Sequence, residues 1–365
     1  MIFLKWGFTM NMRSMFSIAI LLLVLSATTA VYAEQNQTVS VTDLAGRTVE
    51  IPSDVHRVAS LVGPGFEKVF LLGAMDKVAI LSSFAKQRPW AKKIIPGVSD
   101  ITAVDSANNP NIEELINQKV DLVFFWDYEK PIEKMADVGI PVLVTQKGAA
   151  NAGPQSIDEF KKYIKDEVNV FGAALGPEAK AKADDYSQYF DEKVEKIEKI
   201  TSAIPEIERP DVYYVRGPDP LTTHGKNMYT QWWVTLAGGN LVSSEIEEGL
   251  AQVSIEQVMT WNPDIIVMGR VNNTALITND PMWQDVKAVK SGKVYTNPEG
   301  VMAWDYSSEG VLLLEYLAKT FYPDKFTDID MLTEIKDFYS KFYNYSLTDD
   351  DANRILKHLN PTDPV

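Results

Sequence analysis

Between Pro177 and about Ser202 the chain runs with no internal glycine or proline, and its charges recur on a helical period. Pro177 suits the first turn of a helix. About 25 residues at 1.5 Å each make a rod nearly 40 Å long. Such a rod can bridge two lobes; the competing reading is a surface helix within one domain. At about 100–200 residues per domain, 365 residues suit two lobes.

The flanking halves share a rhythm. Short apolar runs at 58–62, 78–81, 122–126 and 142–145 alternate with helical patterns before the rod, and runs at 212–215, 265–268 and 294–296 do so after it. Strands spaced by helices predict mostly parallel sheets covered on both faces. Ahead of them VSVTDLAGRTVEIP (39–52) places alternating runs around Ala45-Gly46, a hairpin pattern. A weak repeat links the halves: NIEELINQKVDLVF (111–124) and SIEQVMTWNPDIIV (254–267). Each opens on an N-cap residue, Asn111 or Ser254, with Glu114 or Gln257 placed for a capping box. Each closes on an aspartate, Asp121 or Asp264, before an apolar strand.

The expected organisation is a leader (1–33), an N-terminal α/β lobe (39–175), an interlobe helix (177–203), a C-terminal α/β lobe (209–326) and a helical extension (327–365). The extension is expected to pack on the second lobe. In the leader, Lys5 and Arg13 precede an apolar run at 15–25, and small residues follow it up to Ala33, before Glu34. That is the plan of a secretory signal; an uncleaved anchor is the alternative, because the run is near the ~20 residues that span a bilayer.

Composition removes several functions. The formal charge is −15, with 50 acids against 35 Lys and Arg, the wrong sign for neutralising nucleic-acid phosphates. The absence of cysteine excludes disulfides, thiolate metal sites, thiol catalysis and an N-terminal lipid anchor. No G-x-S-x-G or H-E-x-x-H pattern occurs, so an enzyme on this scaffold is the minor reading.

The chain resembles the periplasmic substrate-binding proteins that serve ABC importers of iron–siderophores, haem and cobalamin. The resemblance rests on TDLAGRTVEIP (42–52), RVASLVGPGFEKVFLLGAMDKVAIL (57–81), the two repeat motifs, and VKSGKVYTNPEGVMAWDYSSEGVLLLEYLAKTFYPDKF (289–326). It implies two Rossmann-like lobes joined by one long helix, with the ligand cleft between them. It also implies a monomer that docks on a permease dimer, with no intrinsic cofactor and a chelated metal, iron foremost, as ligand. Glu113 and Glu256 match the positions at which one glutamate per lobe meets permease arginines. Their ordinary alternative is an acid favoured by the helix dipole, and Glu114 competes for the first-lobe role.

Ligands of open α/β sheets bind beyond the C-terminal strand ends. Candidates there are Phe66, Arg88, Trp90, Trp126 and Tyr128 in the first lobe, and Arg216, His224, Arg270, Trp304 and Tyr306 in the second. Aromatic faces suit planar or catecholate ligands, and arginines pair with carboxylates or phenolates; each aromatic could equally close the core. Of three histidines, only His224 lies on an expected cleft loop. His224 and Tyr306 are the candidates to ligate a metal that arrives chelated. Trp232 and Trp233 read as core.

Overall fold

The structure, a computed structural model, describes residues 37–104, 109–147 and 153–363; the leader lies outside them. The chain opens with the hairpin β1 (Thr38–Thr42) and β2 (Thr48–Pro52), which pair antiparallel. Gly46 supplies the positive φ of its turn, 78°. The turn grips the first lobe: the Asp43 carboxylate accepts from Val144 N at 3.0 Å and pairs with Arg47, whose Nη2 donates to the Val142 carbonyl at 2.9 Å.

The first lobe continues through β3 (Val58–Ser60), α1 (Gly65–Leu71), β4 (Val78–Ser82), α2 (Pro89–Ile94), β5 (Thr102–Val104), α3 (Ile112–Asn117), β6 (Leu122–Trp126), α4 (Glu129–Asp137) and β7 (Val142–Gln146). Its sheet is parallel, in the order β5-β4-β3-β6-β7. Two helices follow, α5 (Ile157–Leu175) and α6 (Pro177–Thr201).

The second lobe holds β8 (Asp211–Val215), β9 (Thr222–His224), α7 (Tyr229–Leu236), β10 (Asn240–Leu241), β11 (Leu250–Gln252), α8 (Ile255–Trp261), β12 (Ile265–Met268), α9 (Ala275–Thr278), α10 (Lys287–Lys290), β13 (Val294–Thr296) and α11 (Gly310–Phe321). Its sheet runs β11-β9-β8-β12-β13, with β10 also on β8; β9 runs antiparallel to both its neighbours, β8 and β11, and the other pairs are parallel. The extension forms α12 (Met331–Tyr343) and α13 (Asp349–Leu356).

The internal repeat holds in atomic detail. Asn111 and Ser254 cap α3 and α8, each side chain accepting from the backbone N–H three residues on. Lys119 and Asn262 close the turns with positive φ, 52° and 45°. Asp121 and Asp264 then accept from the backbone at the start of the neighbouring central strand, from His56 and Arg57 N in one lobe and Asp211 N in the other. Among the described residues the reciprocal half of the expected capping boxes is not formed: Glu114 instead accepts from Gln118 Nε2 at 3.0 Å.

The rod is α6, but it does not stand alone. It packs antiparallel along α5, with Lys161 on Glu198 and Lys165 on Asp191. Gly172 sets their closest approach: a Cβ there would lie 2.6 Å from Ala183 Cβ. Gly172→Ala therefore gains about 1 kcal/mol of helix propensity but meets an overpacking cost of about 1–3 kcal/mol. A net loss of about 1 kcal/mol in urea unfolding is expected, relieved in part by adding Ala183→Gly. A gain in the single variant would sink this account of the contact.

The extension packs on the second lobe, as expected, with Tyr339 on Glu309 and Glu299 N donating to the Ile355 carbonyl, and it reaches the first lobe as well. Tyr343 stacks on Phe70 of α1 at 5.0 Å and donates to the Glu67 carboxylate at 2.6 Å. Trp90 Nε1 donates to the Leu359 carbonyl at 2.9 Å, and Lys93 pairs with Asp351 at 2.5 Å. The second helix is held by the Thr348–Asp351 capping box.

Candidate functional site

A cleft of about 690 Å³ opens between the lobes, within the range of small-molecule sites. The first lobe contributes loops after strands β3, β4, β6 and β7: Gly63, Ser83 and Phe84, Trp126, and Gln146 with Lys147. The second lobe contributes Arg216 after β8, His224 at the end of β9, Arg270 after β12, and Tyr229 and Tyr306. Strand C-terminal ends from both sheets thus converge, as the doubly wound topology dictates.

The chemistry of this lining is one-sided. Arg216, Arg270 and Lys147 are cationic, and no aspartate or glutamate is among the described residues that line it, in a chain with 50 acids. Trp126 Nε1, Arg216 Nε and Arg270 Nε are buried N–H groups with no hydrogen-bond partner among the described residues. Buried donors are ordinarily satisfied; Arg270 Nε faces the buried Asp305 carboxylate, and the other two favour a ligand rich in acceptors.

Arg270 is held firmly. Its Nη2 donates to Tyr229 Oη at 2.7 Å, its guanidinium lies 4.9 Å from the Tyr306 ring centre, and Asp305 Oδ1 stands 4.0 Å from Nε. Burial works against its charge, but Tyr229, Asp305 and Tyr306 outweigh it and raise its pKa. Arg216 is looser, with Nη1 on the Gly217 carbonyl at 3.2 Å and its guanidinium also interacting with Tyr229. Tyr229 and Tyr306 stack at 5.6 Å. Burial raises both phenols, with Arg270 opposing.

His224 is 3% exposed. Its Nδ1 meets Thr230 Oγ1 at 3.2 Å, its ring meets Tyr229 edge to face, and its carbonyl accepts from Ser243 Oγ at 2.7 Å. The next residue must be glycine, because a Cβ on Gly225 would lie 2.3 Å from two carbonyl oxygens. Burial first, then Arg270 and Arg216, lowers the His224 pKa to about 3. The ring is therefore neutral in the folded protein at ordinary pH, available as donor or ligand. The unfolded state binds the proton more readily, so the stability contribution is complete above about pH 6.5 and is lost as pH falls toward about 3. His224→Gln should flatten the stability slope across that interval in chemical denaturation. An unchanged slope would mean that His224 is not buried neutral.

Five sequence candidates do not line the cleft. Phe66 is buried in the first-lobe core because it lies on the inner face of α1. Trp90 is buried against the extension. Trp304 is fully buried, edge-on to Tyr316. Tyr128 packs edge-on to Phe125 and stacks on Trp126, supporting that residue without lining the cleft itself. Arg88 instead crosses between the lobes, pairing with Glu299 at 2.7 Å beside the Phe84 ring. His358 approaches the same Glu299 at 3.3 Å. Burial alone would raise the Glu299 pKa; the His358 hydrogen bond and the Arg88 charge bring it down to about 2.

Trp126, Arg216, His224, Arg270 and Tyr306 are brought together on the cleft. Lining residues that sequence reasoning did not single out include Tyr229, Tyr163 and Lys147; Tyr229 stands one turn before Trp232 at the start of α7. Trp232 and Trp233 are buried, as expected. Away from the cleft, Glu113 and Glu256 are exposed at the starts of α3 and α8.

Comparison with known proteins agrees with this architecture. Residues 58–300 match the family described as periplasmic binding protein. The molybdate-binding protein MolA of Haemophilus influenzae is 31% identical over 337 residues, covering 86% of this chain and 93% of MolA. Its molybdate-bound structure superposes with a TM-score of 0.76 at 26% identity, over 85% of this chain and 99% of that one. A periplasmic solute-binding protein of Veillonella parvula gives a TM-score of 0.75 at 27% identity, over 89% and 99%. The vitamin B12-binding protein of Vibrio campbellii is 26% identical, over 64% of this chain and 76% of its own. The chain belongs to the periplasmic binding protein family, as a solute-binding protein of ABC transporters.

Proposed function

We propose that the chain captures an anionic metal chelate, of the iron–siderophore type, in the periplasm and delivers it to an inner-membrane ABC importer. The observation that carries this reading is the cleft lining: Arg216, Arg270 and Lys147 with aromatic walls and no carboxylate among the described lining residues. The arginines attract the ligand's anionic oxygens, while Trp126, with the Tyr229–Tyr306 stack, supplies aromatic surface for its rings. Neutral His224 can donate to the ligand or enter the coordination sphere of its metal. The mechanism is binding without chemistry and needs no resident cofactor. Glu113 and Glu256 would meet basic residues on the two permease subunits.

A second reading is a bare oxyanion. It is favoured by the likeness to MolA, whose structure holds molybdate. The cleft volume of about 690 Å³ favours the larger chelate.

Tryptophan-fluorescence titration of the chain without its leader tests both, because Trp126 lies on the cleft wall. Ferric siderophores, haem, cobalamin, nickel–histidine, molybdate and free divalent ions are titrated in parallel. Saturable one-to-one quenching by an anionic ferric chelate is expected. Saturation by molybdate alone would select the second reading, and a response only to free cations would overturn both.

A further inference from the structure

Two tyrosines one turn apart on α12 reach carboxyls from different lobes. Tyr343 donates to Glu67 of α1, and Tyr339 is hydrogen-bonded to Glu309 at the start of α11. Both glutamates are buried, and the two phenol rings meet edge to face at 4.9 Å. The surroundings of the two carboxyls differ. Glu67 accepts from three donors, Ser308 N, Ser308 Oγ and Tyr343 Oη, and has Lys68 beside it. Among the described residues the Glu309 side chain has two partners, Met302 N and Tyr339 Oη, and it makes no cap bond to the helix it begins. The charged groups that bear on it most are Glu67 and Glu299, both acids. The nearby cations are committed elsewhere: Lys68 faces Glu167 at 3.5 Å, and Arg88 and His358 hold Glu299. Gly300 packs against the contact, where a Cβ would lie 1.8 Å from Tyr339 Oη and 2.3 Å from Glu309 Oε1. A carboxylate buried without a cation or a full set of donors is costly, and a proton removes that cost.

We propose that α12 is a proton-locked clasp: it stays fastened across both lobes while Glu309 carries a proton, and loss of that proton sets Glu309 against Glu67 and lets the junction open. The titratable groups that face Glu309 are Glu67 from α1, Glu299 from the loop after β13, and Tyr339 and Tyr343 from α12; none of them supplies positive charge. Tyr339 suits both states, because a phenol hydroxyl donates to a carboxylate or accepts from an acid. Burial, with Glu67 and Glu299 behind it, raises the Glu309 pKa to about 8 against the Tyr339 and Met302 hydrogen bonds, whereas a glutamate freed into water titrates near 4.5. Between those values the closed clasp holds a proton that the open one gives up. Opening therefore rises with pH, by at most about tenfold per unit, and levels off above about pH 8. The clasp lies apart from the cleft, so the inference holds whatever the cleft binds.

Hydrogen exchange of the leader-free chain tests the lock, followed from about pH 5 to about pH 9 and corrected for the pH dependence of the exchange chemistry itself. The amides of Val301, Met302 and Ser308 report on it, because they donate to Tyr339, Glu309 and Glu67. In the wild type their opening should rise several-fold per pH unit up to about pH 8 and then flatten. Glu309→Gln, shaped like the protonated acid, should keep the low-pH protection at every pH. Glu309→Met serves in its place should the glutamine variant not fold, with the same flat profile expected. Tyr339→Phe, which retains Glu309, should open more readily at every pH while keeping the slope. A flat wild-type profile overturns the proposal, and so does a slope that survives in both Glu309 variants. A slope that disappears only in Glu67→Gln would place the proton on Glu67 and overturn it equally.

Discussion

Arg216→Met should lower affinity for an anionic chelate roughly a hundredfold while shifting the melting temperature by no more than a few degrees. A charge-assisted, partly desolvated contact is worth about 2–3 kcal/mol, which is the factor expected in binding. The small stability effect follows from how little of the protein Arg216 holds compared with Arg270: its Nε is unpartnered, Nη1 reaches the adjacent Gly217 carbonyl, and Tyr229 is its one further side-chain partner among the described residues. Arg270 gives the contrasting case. Arg270→Met removes the donor to Tyr229, uncovers the Tyr306 face and strips buried Asp305 of its nearest cation. It should weaken binding and stability together. Titration and thermal unfolding of both variants check the contrast. An Arg216 variant that binds as tightly as wild type would remove the charge argument from the cleft.

Glu67→Ala should cost about 3–5 kcal/mol in urea unfolding. The Glu67 side chain comes from α1 of the first lobe, yet it accepts from Ser308 N and Oγ of the second lobe, at 3.2 and 3.1 Å, and from Tyr343 of the extension at 2.6 Å. All three donors are buried, and removing the acceptor orphans each at about 1–3 kcal/mol, less what relaxation recovers. Burial raises the Glu67 pKa against the opposing effects of Lys68, Tyr343 and Ser308. Glu67→Gln, which keeps the shape and one acceptor, should cost clearly less than the alanine. Hydrogen exchange should rise around Ser308 and Tyr343 in the alanine variant. Equal stability of all three proteins would deny the junction its role.

The fold was largely legible because its strands are short apolar runs with unmistakable breaks. The expected runs at 122–126 and 265–268 are β6 and β12 residue for residue. The repeat was legible because cap, turn and aspartate are local signals. The cleft was legible where function and location coincide in one residue, as at Arg216 and Arg270. It was not where an aromatic follows a strand, because the pattern does not say which way the ring turns: Trp126 faces the cleft while Trp304 is core. The extension's reach across both lobes depends on partners such as Trp90 and Leu359, 269 positions apart; no local pattern encodes such a pairing. The antiparallel β9 and β11 are three residues each, too short for alternation to register.

The bracing of the two lobes bears on traffic at the membrane. Arg88–Glu299, Glu67–Ser308 and the extension tie the lobes at several points besides α6, so little hinge freedom is left for cargo to remove. Empty and loaded forms then present nearly the same outer surface. An importer that reads that surface is occupied by vacant carriers almost as readily as by full ones. Uptake should therefore pass through an optimum as carrier abundance rises at fixed cargo, because surplus empty protein competes for the gate.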